Sequence, residues 1–339
     1  MNTLLSQSWV VALMSMLLIA SVFTAVHHAE VIAHKVGEPF GTLILAVCVT
    51  VIEVALIVSM MLSGGEGAEL IARDAVFAAI MIIMNGVIGL SIFLGGLKHK
   101  ELSFRLEGAN PALAVLIALA TFTLVLPIFT TSSEGPTYTS GQLIFIGVIS
   151  LILYGTFVFI QTVRHRDYFL PVHDDQKKDV NSHAVPPNIA KAWISGSLLA
   201  ISLVLVIGLA KLLSPTIELA LQSAGAPKTV VGIAIAALVL LPESIAAIRA
   251  ALSNRLQTSL NLALGSALAS IGLTIPVVAL VSVWFHIPIS LGVNPVGLVL
   301  LFLTMLVGIL TLATGRTTLL QGVVHLVIFF SYLFLTLIP

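Results

Sequence analysis

Ten apolar stretches, each close to the length needed to cross a bilayer, constrain this chain more than any other feature. They cover roughly residues 8–27, 40–63, 70–97, 110–130, 141–162, 192–213, 229–252, 257–283, 293–313 and 318–338. A spanning helix needs about 20 mostly apolar residues. Turn-forming pairs lie near the ends of these stretches: Gly64-Gly65, Asn110-Pro111, Gly135-Pro136, Ser214-Pro215 and Asn294-Pro295. The first stretch lacks the cationic start of a signal peptide, because Met1 to Val26 holds no Lys or Arg. It reads as a true span. Charged residues make up 9% of the chain, against about 25% in ordinary soluble domains. A water-soluble core cannot absorb the apolar excess, so the expected fold class is all-α, a polytopic membrane protein.

The lysines and arginines orient the bundle. With ten alternating spans, one side collects Lys35, Lys98, Lys100, Arg105, Arg164, Arg166, Lys177, Lys178, Lys191, Arg249, Arg255 and Arg316. The other side holds only Arg73, Lys211 and Lys228. The first side is expected to be cytoplasmic, which leaves both termini outside. Zero net charge gives no basic footprint for nucleic acid. The lone Cys48 excludes an internal disulfide framework and reads as a small buried hydrophobe.

Residues 163–191 are the one long polar stretch, with His165, His173, Asp174, Asp175, Asp179 and His183 among its lysines and arginines. It reads as a solvated cytoplasmic linker between two halves, 1–162 and 192–339. Both halves carry the same signature. Glu30 is followed by Gly37, Pro39 and then Glu53; Glu218 is followed by Gly225, Pro227 and then Glu243. An odd number of spans per half sends the two copies into the membrane in opposite directions. Inverted repeats with a site at the midplane are the architecture of many secondary transporters.

Most acids lie in loops or at span ends, but Glu53 and Glu243 lie inside apolar runs, each in the second span of its half. A charged group at the centre of a spanning helix costs on the order of 3 kcal/mol on insertion scales. Desolvation favours the neutral acid, so each glutamate holds a proton unless a cation replaces it. A site that takes either a proton or a cation is the chemical basis of exchange. The competing reading is a neutral acid bonded between helices or paired with Arg249. Pro242 lacks an N–H, which frees the carbonyl of Leu238 beside Glu243. A carboxylate beside a freed carbonyl is a hard-oxygen setting of the kind Ca2+ prefers. Ser259, Ser266 and Ser270 fall on one face of the following span, and Asp74 and Asn85 share a face in the first half. Thr50, Ser244 and Asn261 are lesser candidates. His325 and Arg316 fit interhelical bonds as well as proton handling.

The segments from Gly37-Glu38-Pro39-Phe40 to Glu53, and from Leu241-Pro242-Glu243-Ser244 to Gly265-Ser266, resemble the two alpha-repeats of the calcium/cation antiporter superfamily. The likeness is nearest to bacterial ChaA-type calcium (sodium, potassium)/proton antiporters. It continues through Arg73-Asp74 in the first half and from Thr314-Gly315-Arg316-Thr317 to His325 in the second. The resemblance implies ten helices in two inverted five-helix repeats, in a bacterial inner membrane, with cation and protons sharing one central site. It places Glu53 and Glu243 as the acidic ligands, and Asn85, Ser266 and the backbone around Val49 and Val239 as positions lining the site. Many relatives carry Gly-Asn before each glutamate, where this chain has Val49-Thr50 and Val239-Leu240. The amide typical of calcium-selective relatives is therefore absent, and Ca2+, Na+ and K+ all stand as candidate cargo. Relatives often begin with one further helix, so an internal or shortened start at Met1 is the expectation.

The function expected is cation/proton antiport by alternating access, with Ca2+ first among cargoes and no cofactor. Ser270 joins Thr50, Asn85, Leu238, Val239, Ser244 and Ser266 as the supporting site. A channel would also carry membrane carboxylates, but an uncoupler would leave its flux intact. An intramembrane enzyme would need a nucleophile with a base; His27, Glu30 and His34 offer only a solvated helix end.

Overall fold

In a computed structural model the described residues are 8–36, 40–64, 67–170, 188–223 and 229–338. Gly37, Pro39, Gly225, Pro227, the side chains of His34 and Glu218, and linker residues 171–187 lie outside them. The first two spans are α1 (Ser8–Val36) and α2 (Phe40–Ser63). The third span is interrupted: α3 (Ile71–Met81) passes into a π segment, Ile82–Val87, before α4 (Ile88–His99). Next come α5 (Leu106–Ala120) and α6 (Ser140–Phe159), each running into a π segment, Thr121–Val125 and Ile160–Arg164. The second half comprises α7 (Ile189–Ser223), α8 (Thr229–Leu252), α9 (Leu256–Phe285), α10 (Pro295–Leu312) and α11 (Leu319–Leu337). Among the described residues nine helical stretches are long and apolar enough to cross a bilayer. The tenth span is α2, 24 residues with a shorter apolar stretch, Ala46–Leu62. Helices are what a bilayer selects, because every backbone polar group must be satisfied within the segment.

The turn signals acted unequally. Asn294 caps α10 by accepting from the Gly297 N–H at 2.6 Å, with Pro295 as the first helical residue. Gly135 adopts φ +83°, which closes the turn before α6. Asn110-Pro111 and Ser214-Pro215, in contrast, lie inside α5 and α7. A spanning helix tolerates an internal proline where neighbouring groups satisfy the freed carbonyl.

Packing repeats between the halves. α6 lies on α9 as α11 lies on α4, and α2 lies on α9 as α8 lies on α3. α1 and α7, the first helices of each half, pack on each other. This pairing is what a two-fold relation between inverted repeats requires. Glycines set the closest crossings. A Cβ on Gly272 would stand 2.6 Å from Tyr154 Cβ on α6, and one on Gly89 would stand 2.8 Å from His325 Cβ on α11.

Two apolar clusters result. The larger runs through α3 to α6 and α8 to α11 and takes in Ile57 and Met61 of α2. The smaller joins Val22, Ala25 and Ala29 of α1, Val49, Ile52 and Leu56 of α2, Leu199 and Val206 of α7, and Val239 of α8. α2 and α8 therefore stand at the seam. At the lysine-rich end, β1 (Glu101–Ser103) pairs antiparallel with β2 (Arg316–Thr318), tying a loop of each half together. Lys98 Nζ and His99 Nε2 reach the Leu252 carbonyl at 3.0 and 2.9 Å on the same end. The outward faces carry large apolar side chains such as Trp193, Trp284 and Phe302, as a surface bathed in lipid would.

Candidate cation site

Each half sends its intramembrane glutamate to the same helix. Glu53 of α2 is 1% exposed, and Ser270 Oγ on α9 lies 2.6 Å from both of its carboxylate oxygens. Glu243 of α8 is 6% exposed and accepts a short hydrogen bond from Ser266 Oγ. Ser266 and Ser270 are one helical turn apart, so they hold the two carboxylates side by side. Arg249, which could have neutralised Glu243, is exposed at the end of α8. α9 is thus the rail on which the two repeats meet, and its serine spacing was legible as one face.

Other predicted residues take different partners. The Thr50 hydroxyl donates to the Ala46 carbonyl at 2.8 Å, and that of Ser244 to Leu240 at 2.7 Å, each within its own helix. Val239 is buried in the smaller apolar cluster, with Leu238 packed against it. Ser259 is buried with no hydrogen-bond partner among the described residues. Asp74 pairs with Arg73 Nε at 2.7 Å, at the far end of the bundle.

Asn85 is fully buried in the π segment and bonds away from the glutamates. Its Nδ2 donates to Thr304 Oγ1 at 2.8 Å, and its Oδ1 lies 3.0 Å from His325 Nδ1. His325 Nε2 meets Thr311 Oγ1 at 3.0 Å. Thr304 itself donates to the Leu300 carbonyl at 2.7 Å, so it can only accept from Asn85. That fixes the amide, which presents its oxygen to His325. Nδ1 of the histidine therefore carries the proton and Nε2 accepts from Thr311. Asn85, His325, Thr304 and Thr311 form one satisfied network joining the third, ninth and tenth spans.

A narrow crevice of about 20 Å³ reaches Glu243 and Ser266 from the lysine-rich end. That volume suits one water molecule or one dehydrated ion. Leu43, Ala46, Tyr154, Phe157, Gln161 and Asn261 line it, and Glu53 does not. Tyr154 and Gln161 were missed in the sequence. Their seven-residue spacing on one face of the fifth span was the available signal.

A membrane bundle of inverted repeats, with one buried carboxylate from each repeat on a shared helix, is the build of a secondary transporter. The family is equally plain. Residues 7–163 and 194–338 match the model for the sodium/calcium exchanger protein family, and the chain belongs to it. It is 53% identical over 339 residues to y4hA of Sinorhizobium fredii, whose name proposes an ionic transporter; the match covers 100% of this chain and 91% of that one. It is 34% identical over 316 residues to the sodium-potassium/proton antiporter ChaA of Escherichia coli, covering 93% of this chain and 85% of that one. The fold is shared with the solved Ca2+/H+ antiporter protein YfkE at a TM-score of 0.67 and 19% identity, over 96% of this chain and 100% of that one.

Proposed function

We propose that this inner-membrane protein exports a metal cation in exchange for protons at Glu53 and Glu243, with Ca2+ as the leading cargo. The observation that carries this reading is the meeting of the two buried glutamates on Ser266 and Ser270 of α9. Two carboxylates balance one Ca2+ as they balance two protons. Either occupant leaves the buried site neutral, and the empty, doubly charged site is disfavoured by desolvation and mutual repulsion. Loading with one species therefore requires release of the other, which is the coupling an antiporter needs. The seam between the two apolar clusters supports alternating access. The halves 1–162 and 192–339 supply the helices on either side of the seam, and α1 with α7 shifts along α2 and α8.

Na+ or K+ is the second reading, favoured by the name of the Escherichia coli relative and by the absence of an amide before either glutamate. Everted vesicles separate the two. Addition of Ca2+ to energised vesicles is expected to release protons with saturation, and Na+ or K+ at tenfold excess is expected to leave that release standing. Proton release by Na+ or K+ with none by Ca2+ would reassign the cargo. Cation flux that survives an uncoupler unchanged would remove antiport altogether.

A further inference from the structure

The crevice that reaches Glu243 is lined by polar groups of two kinds. Asn261 is held at both ends of its amide: its Oδ1 accepts from Gln257 Nε2 at 2.9 Å, and its Nδ2 donates to the Phe169 carbonyl at 2.5 Å. Gln257 in turn accepts from the Arg105 N–H at 2.6 Å. This chain fixes the amide of Asn261 in the wall of the crevice.

Tyr154 and Gln161 differ. They are 7% and 8% exposed, both line the crevice, and among the described residues neither side chain has a hydrogen-bond partner. Neither polar end is sealed off, and both residues line the small space beside Glu243 and Ser266, where they can meet a water or an ion. Their positions are built in. Tyr154 is pressed against α9 where Gly272 leaves room for it. Gln161 sits in the π segment Ile160–Arg164, and such insertions re-aim side chains at functional places.

We propose that the Gln161 amide oxygen and the Tyr154 phenol oxygen are ligands of the transported metal cation on its approach to the Glu53–Glu243 pair, meeting it with Glu243 and Ser266 at the inner end of the crevice. The proposal rests on Glu243 being a cation carboxylate. Gln161 restores from α6 the amide that Val49-Thr50 and Val239-Leu240 withhold from α2 and α8. Neutral oxygens replace hydration without adding charge, so they set which ion is held while Glu243 sets whether one is held. The crevice volume is enough for one water molecule or one bare ion beside Glu243.

Cation-driven proton release in everted vesicles, with Ca2+, Na+ and K+ each titrated, provides the test. Gln161→Ala is expected to raise the half-saturating concentration of the driving cation about tenfold, with maximal rate held within about twofold, as loss of one charge–dipole contact requires. Tyr154→Phe should raise it by a smaller factor, about threefold. Gln161→Glu is expected to lower it, more for Ca2+ than for Na+ or K+. Equilibrium binding of radioactive Ca2+ or Na+ to the purified protein should move in parallel. Unchanged half-saturation in Gln161→Ala and Gln161→Glu, with Glu243→Gln inactive, overturns these ligands and leaves the exchange reading standing. Full activity of Glu243→Gln overturns the exchange reading itself. Should Gln161→Ala fail to accumulate, Gln161→Glu decides alone: a shift in half-saturation supports the ligand role and no shift overturns it.

Discussion

Glu243→Gln and Glu53→Gln are each expected to lower cation-driven proton flux by at least about a hundredfold while the protein still folds and reaches the membrane. Glutamine keeps the size of the side chain and an oxygen that can accept from Ser266 or Ser270. It cannot take up or release a proton, and it leaves the site one charge short of balancing a divalent ion. Neither variant has a carboxylate to desolvate at the changed position, so thermal stability in detergent without cation should be equal to or above that of the unchanged protein. Proton release in everted vesicles, read beside a melting curve, checks both halves of the statement. Flux at the unchanged level in either variant would mean that the α9 serines hold a structural pair and not an exchanging one.

His325→Leu should give the largest loss of stability. Leucine is close to histidine in volume but cannot hydrogen-bond, and it leaves Asn85 Oδ1 and Thr311 Oγ1 buried without their His325 partner, a loss of about 2–4 kcal/mol. In a double-mutant cycle with Asn85→Leu, much of this cost should vanish, because removing both partners leaves fewer orphaned groups. The hydrogen-bond directions also fix a spectroscopic outcome. Nitrogen-15 labelled His325 should show the Nδ1–H tautomer across the pH range in which the protein is folded, since both ring nitrogens are engaged. An Nε2–H signal would reverse the amide assignment of Asn85 and with it the order of the network.

The contrast between these two sites explains what could be read in advance. Glu53 and Glu243 announced themselves because a carboxylate within an apolar run has few explanations, and Ser266 and Ser270 followed from α-helical period along an unbroken α9. Asn85 was grouped with Asp74 by the same period, but that argument assumes a continuous α-helix. Asn85 itself lies in the π segment Ile82–Val87, where an inserted residue shifts side chains by up to about 100° from the α-helical register. No residue pattern in Ile82–Val87 marks the insertion. Asn110-Pro111 and Ser214-Pro215 misled for a related reason: their turn propensity belongs to water, where a freed carbonyl is easily solvated, and not to a packed bundle. Gln161 escaped notice because a glutamine near the end of a span looks like a residue reaching for solvent.

The crossings at Gly89 and Gly272 are the same joint used twice, once in each repeat. At one, the neighbouring helix presents His325, sealed within a network of amide and hydroxyls. At the other it presents Tyr154, facing an ion-sized space. The duplicated scaffold is symmetric, but its linings are not. When the opposite side opens, the counterpart of the Tyr154 position offers an imidazole already committed to Asn85 and Thr311. If Tyr154 serves as the proposed ligand, a cation meets a different coordination chemistry on each approach. Such a lining gives the two faces different apparent affinities for the cation, while the gradients alone set the direction of travel.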